Sequence, residues 1–346
     1  MTAPVLETRG LTVTFQLRAG GGLRRRSLTA VRGVDLEVLP GETVALVGES
    51  GSGKSTTARA VCGLVPFEGE VLLSGERASA IQRTRRAGSY RQMVFQDPYS
   101  SLDPLMTVGD SIAEPLTLLS GRSSGHAARV RALLESVRLP AGYAARLPKE
   151  LSGGQRQRVA IARALATEPK LVVCDEALSA LDASTQGEVL AILQELREQR
   201  GTAYLFIAHD LAVVRHIADR VAVMYLGSVV ESGPTEEVFR DPRHPYTQAL
   251  LAAAPIPHPR LQRQQRAFVV GGDPPDPSRL PGGCPFHPRC PLAIVRCKTE
   301  TPPATAAQGR TVICHVNKAA DPAEAVARVV GPVETSTPEV RKGLVS

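Results

Sequence analysis

Nine residues, Gly48-Glu49-Ser50-Gly51-Ser52-Gly53-Lys54-Ser55-Thr56, constrain this chain more than any other stretch. They read G-x-x-x-x-G-K-S between an apolar strand pattern, Thr43 to Val47, and a helical pattern running from Thr56 to Leu64. Glycines at 48, 51 and 53 let backbone N–H groups turn inward without a Cβ clash, which forms an anion nest at a helix N-terminus. Lys54 is then placed to reach β- and γ-phosphates, and the Ser55 hydroxyl to ligate Mg²⁺. The plain alternative is a Gly-rich turn with an exposed lysine; the strand–loop–helix context weighs against it.

A chain of 346 residues has room for two domains, or for one large domain with an appendage. No run approaches the ~18 apolar residues of a membrane span, and no charged stretch followed by an apolar core opens the chain, so a cytosolic protein is expected. The net charge of +7 is compatible with nucleic acid, anionic lipid or an acidic partner subunit. Arginine clusters such as Arg24-Arg25-Arg26 lack interleaved aromatics, however, and no nucleic-acid partner is expected.

Strand signals recur along the chain: residues 5–15, Val31 to Val38, Gly69 to Gly75, Met93 to Phe95, Lys170 to Asp175, Ala203 to Ala208, and a pair around Leu226-Gly227-Ser228. Residues 16–27 read as a flexible basic loop. Helical composition runs from Met106 to Ala145, interrupted at Pro115, Gly121 and Gly125, and again over 156–166 and 186–199. Alternating strands and helices imply a mainly parallel sheet with helices on its faces. Leu151-Ser152-Gly153-Gly154-Gln155 is a second glycine-rich turn before a helix. Asp175 and Glu176 close an apolar run, as a buried strand does when it delivers carboxylates to a site at its C-terminal end.

These motifs, in this order, resemble the ATP-binding-cassette ATPases. The resemblance covers about Leu6 to His315 and implies an α/β P-loop ATPase with a RecA-like core, an antiparallel β subdomain and an α-helical signature subdomain. It implies ATP and Mg²⁺, with Gly48 through Thr56 as the phosphate loop and Phe15 as the adenine-stacking aromatic, although a plain core residue is the commoner fate of such a phenylalanine. Ser55, Gln96 and Asp175 would serve the Mg²⁺ site, Glu176 would be the catalytic general base, and His209 and Gln96 would sense the γ-phosphate. Leu151, Ser152, Gly153, Gly154 and Gln155 form the signature that faces ATP held by a second cassette, identical or paralogous. Ser179, Ala180, Leu181 and Asp182 match the dimer-contact loop. One departure stands out: Ala177-Leu178 replaces the usual Pro-Thr after the glutamate.

Two strings, 96–104 and 243–251, are similar to the ATP-binding subunits of oligopeptide and dipeptide importers. That branch implies two membrane-spanning permease subunits, an extracytoplasmic substrate-binding protein acting indirectly, and a peripheral position on the cytoplasmic face. Close relatives import nickel or other small solutes. A soluble cassette acting on nucleic acid is the alternative of a different class; the single motif set disfavours it.

The organisation expected is a 1–254 ATPase domain, a 255–317 extension and a flexible tail over 318–346. Within the extension Cys284, Cys290, Cys297 and Cys314 are spaced C-x5-C-x6-C-x16-C, which lacks the C-x2-C of zinc ribbons and bacterial ferredoxins. The resemblance favours a [4Fe–4S] cluster on this quartet; zinc, with His287 or His315 as alternative ligands, and free thiols remain open.

Overall fold

In the computed structural model of the protein, the described residues are 3–18, 25–97, 101–122, 124–253, 273–307 and 309–316. The strands are β1 (Leu6–Arg18), β2 (Arg25–Val38), β3 (Thr43–Val47), β4 (Glu68–Leu73), β5 (Glu76–Arg77), β6 (Arg91–Val94), β7 (Leu171–Asp175), β8 (Ala203–Ile207), β9 (Arg220–Tyr225), β10 (Ser228–Pro234), β11 (Ala304–Ala307) and β12 (Arg310–Ile313). They form an antiparallel sheet, β2-β1-β4-β5, and an eight-stranded sheet, β11-β12-β10-β9-β3-β8-β7-β6.

The centre of the large sheet is parallel: β3 lies between β8 and β9, and β7 between β8 and β6. Every residue of β3, β7 and β8 is buried, which explains their unbroken apolar sequences. Each fully buried Leu, Ile or Val there contributes about 2 kcal/mol of hydrophobic stabilisation. The helix Lys54–Val61 packs Ala58, Ala60 and Val61 into the core that joins the two sheets. Helices Val108–Ser120, Ala127–Ser136 and Gly153–Leu165 pack on one another around Ile112, Leu133, Leu134 and Val159, in a core continuous with Val94 and Val172 of the large sheet.

Two local expectations are corrected. The basic stretch from residue 16 to 27 is not a loop throughout. Its ends continue the β1–β2 ladder, with Gln16 opposite Ser27 and Arg18 opposite Arg25, because polar and charged residues extend an antiparallel ribbon whose faces need no burial. Pro115 does not interrupt its helix but sits inside Val108–Ser120. The missing Pro N–H removes one helical hydrogen bond. Thr107 caps the helix start, accepting from the Asp110 N–H, and Val108 and Ile112 bury its inner face; Gly121, left-handed at φ 70°, ends it.

The last described residues fold back onto the large sheet. β12 pairs antiparallel with β10, Glu231 opposite Val312, so β11 and β12 complete one edge of the large sheet. A buried ion pair locks this edge: the Arg310 guanidinium meets Glu231 at 2.7 Å, the two side chains being 2% and 0% exposed. Glu231 also accepts the backbone N–H groups of Arg243 and His244. The expected linker near residue 255, the expected tail over 318–346 and residues 98–100 of the first branch string lie outside the described residues. Among the described residues no helix is long and apolar enough to cross a membrane.

Candidate functional site

The site is built on the ends of β3, β7 and β8. Chain leaving β3 turns sharply through Gly48 (φ 150°) and reaches Gly53 (φ 105°) at the start of helix Lys54–Val61. A side chain at Gly48 would strike the Met224 carbonyl, and one at Gly53 the Ala30 carbonyl, so the loop is pressed against β9 and β2 and tolerates no Cβ at either point. Lys54 donates to the carbonyls of Gly48 (2.8 Å) and Glu49 (2.9 Å), folding its ammonium over its own loop. Burial pushes its pKa down, against the raising influence of Glu176 and Asp175.

Ser55 donates its hydroxyl to Asp175 Oδ1 at 2.7 Å. Asp175 ends β7, and Glu176 follows with φ 47°, a left-handed conformation that is strained for a non-glycine residue. That turn swings the Glu176 carboxylate into the site: Gln96 Nε2 donates to Glu176 Oε2 at 2.9 Å, and His209 Nδ1 lies 3.9 Å from the same oxygen. Ser179 donates its hydroxyl to the Glu176 carbonyl at 2.9 Å, tying the next loop to the turn. Ala177 and Leu178, where the usual Pro-Thr is missing, are buried in the core instead.

Lys54, Ser55, Gln96, Asp175, Glu176 and His209 therefore converge, although the sequence spreads them over more than 150 residues. The signature residues instead organise their own helix. Ser152 accepts from the Gln155 N–H, and Gln155 Oε1 accepts from the Ser152 N–H, a complete capping box at the start of Gly153–Leu165. Leu151 is buried, while Ser152 is exposed at this positively polarised helix end. Asp182 likewise caps Ala183–Arg200, accepting from Thr185, and those hydrogen bonds hold its carboxyl below the usual range. Ala180 is exposed beside it and Leu181 half-buried. Phe15 packs, half-buried, against the antiparallel sheet's core.

Sequence reasoning missed two residues that grip the phosphate loop from far away. The Glu49 N–H donates to the Tyr246 hydroxyl at 2.8 Å, and Arg289 binds the Glu49 carboxylate through both η-nitrogens, at 2.9 and 3.0 Å. Separations of 197 and 240 residues leave no local signal for either contact.

The cysteine quartet is brought together but not as a finished metal site. Among the described residues no group of three or more His, Cys, Asp or Glu is arranged to hold a metal ion, so the expected [4Fe–4S] cluster and its zinc alternative are not supported by ligand geometry. Both candidate histidines are turned to backbone carbonyls, His287 to Cys284 (3.0 Å) and His315 to Glu300 (2.9 Å). Burial pushes Cys290 up to about 12 and Cys314 up to about 11, and raises Cys284, so these are neutral thiols. All six pairings of the four sulfurs are nevertheless close enough to influence each other's ionisation.

The ABC transporter family model matches residues 31–179, and the oligopeptide/dipeptide transporter C-terminal region matches residues 230–297. The oligopeptide transport ATP-binding protein OppF of Haemophilus influenzae is 44% identical over 309 residues, 87% of this chain and 93% of its own length. The glutathione import ATP-binding protein GsiA of Escherichia coli (strain K12) is 51% identical over 273 residues, 77% of this chain but 44% of its own length. Among solved structures, the ATP-binding cassette MJ0796, dimeric in a post-hydrolysis state bound to ADP and Pi, superposes with a TM-score of 0.58 at 30% identity, over 66% of this chain and 98% of that one. The chain belongs to the ABC transporter family, as an ATPase cassette of the branch that carries the oligopeptide/dipeptide C-terminal region.

Proposed function

We propose that the chain is the ATP-hydrolysing subunit of a peptide importer, with Glu176 as the general base. The observation that carries the chemistry is the Glu176 carboxylate, held between Gln96 and His209 beside the Ser55–Asp175 pair at the mouth of the phosphate loop. Peptide import is supported by OppF, an oligopeptide transport protein, and by GsiA, whose imported glutathione is itself a tripeptide.

Gly48 through Thr56 would cradle the ATP phosphates, with Lys54 exchanging its loop carbonyls for β- and γ-phosphate oxygens and Phe15 offering its face to adenine. The Ser55 hydroxyl and Asp175 carboxylate are hard oxygen donors that fit Mg²⁺, with Gln96 alongside; the ion would neutralise charge on the phosphates. Water attacks the γ-phosphorus as its proton passes to Glu176, and ADP leaves with the bridging oxygen. Gln96 and His209 keep the receiving carboxylate aimed. The exposed Ser152 and the half-buried Gly153 and Gly154 would close over ATP held by a second cassette, the dimer described for MJ0796 being the supporting case, with the 179–182 loop at that contact.

A groove of about 380 Å³ beside Gln96, lined by Leu64, Phe95, Glu114, Pro115, Leu118 and Arg163, would receive a coupling helix from one of the two permease subunits, and the chain would then sit peripherally on the cytoplasmic face. A substrate-binding protein would act through the permeases. The reading divides the chain into residues 1–254 for ATP, 255–317 as extension and 318–346 as tail. For the extension it retains a [4Fe–4S] cluster over zinc. What supports it is the donor chemistry alone: four soft sulfurs close enough to influence one another, neutral as thiols here, which would ligate iron on losing their protons. About four irons and four sulfides per chain, lost in Cys290→Ser, are expected for anaerobically purified protein; zinc alone or no metal rejects the cluster.

The deciding experiment for the chemistry is Glu176→Gln in the assembled transporter. Phosphate release should fall by at least about 100-fold while ATP stays bound, because only the proton acceptor is lost. Turnover at the normal rate would remove Glu176 from its role.

A further inference from the structure

Glu49 is an acid inside a loop that must hold a polyanion, which calls for an explanation. A free carboxylate there would oppose every incoming phosphate. The structure answers it with Arg289, 9% exposed, which closes a two-pronged pair on that carboxylate, while Tyr246 takes the Glu49 N–H. Both gripping residues stand on one aromatic cluster. Tyr225 lies 4.6 Å from Tyr246 and 5.2 Å from Phe286 between ring centroids, Tyr246 and Phe286 are 5.5 Å apart, and the Arg289 guanidinium faces the Tyr225 ring at 5.9 Å. Phe286 and Arg289 lie within the five-residue stretch between Cys284 and Cys290. Gly283, at φ 66°, fits closely under the Cys297 carbonyl and leads into this stretch, and the Cys284 N–H donates to the same carbonyl at 2.8 Å. The cysteine-rich extension thus reaches the phosphate loop directly through Arg289, and through Phe286 it packs against Tyr246, which takes the Glu49 N–H.

We propose that Arg289 is a positioning residue for ATP: it neutralises Glu49 and holds it aside, so that the affinity of the phosphate loop depends on the folded cysteine-rich extension. This rests on the reading of residues 48–56 as the ATP site and adds a role for the extension that hydrolysis itself does not require. A bare carboxylate released beside the triphosphate repels it, and a guanidinium fork fixes two oxygens where a lysine would fix one.

The test is the affinity of the full-length chain for a fluorescent ATP analogue, at low and high salt. Arg289→Met should weaken binding by about tenfold or more, and less at high salt, where the freed charge is screened. Adding Glu49→Gln to Arg289→Met should regain most of that loss, since the repelling charge goes with its partner; Glu49→Gln alone supplies the reference for the cycle. Arg289→Lys, which keeps the charge, should fall between wild type and Arg289→Met, and with the double variant it decides the matter if Arg289→Met does not fold. Binding by Arg289→Met at wild-type strength, or a double variant as weak as the single, overturns the proposal. Lys54→Ala separates the two levels: if wild type binds the analogue and Lys54→Ala does not, the ATP site stands whatever Arg289 does. If wild type itself fails to bind, the site assignment falls first.

Discussion

Single residues carry most of the site's demands, and several carry charges that the fold must hold in place. Glu231 is the clearest case, a fully buried carboxylate held by Arg310 and two backbone N–H groups. Arg310→Met leaves it without its cation and should lower unfolding stability by about 3 kcal/mol, read from the urea midpoint; Arg310→Met with Glu231→Gln should recover part of that. His244 sets an acid limit. Burial alone lowers its pKa from 6.5 to about 3, and its Nδ1 accepts the Tyr246 N–H at 3.0 Å. The unfolded chain therefore binds one more proton than the folded one between those values, so this contribution is present above pH 6.5 and lost as pH falls towards 3. Between pH 7 and pH 4.5 it should cost about 2 kcal/mol, and His244→Asn, which keeps an acceptor, should flatten that part of a stability–pH curve.

At the level of elements, the capping box at the start of Gly153–Leu165 allows stability to be separated from the proposed ATP role. Ser152→Ala should remove about 1 kcal/mol of capping, measured by denaturant, yet reduce ATP turnover in the assembled complex far beyond what that loss explains. The β3–loop–helix unit, the β7 acids and the capping of the signature helix were all legible in sequence. Each is set by residues within a few positions of one another, and the apolar runs of β3, β7 and β8 declare complete burial. Pro115 and the ribbon ends of β1 and β2 misled for the converse reason: local preference yielded to a helix face already buried and to a ladder already paired. The approach of Tyr246 and Arg289 to Glu49 was illegible because each comes from about 200 residues or more away, and only the return of the extension brings Arg289 there. The cysteines announced their proximity, but not a ligand geometry.

The whole molecule is a cassette whose principal sheet is finished by strands from near the end of the described chain. Deleting residues from 304 onward should expose β10 as an open edge and strand Glu231 without Arg310, giving a chain that elutes from size-exclusion chromatography as aggregate. The order of synthesis follows from the same feature. Arg289 and Arg310 are translated more than 230 residues after the phosphate loop. A nascent or prematurely terminated chain can thus carry every ATP motif and still lack the two arginines that hold Glu49 and Glu231. Such fragments would emerge with open edges and poor nucleotide affinity, and would be poor competitors for permease sites that full-length cassettes must fill.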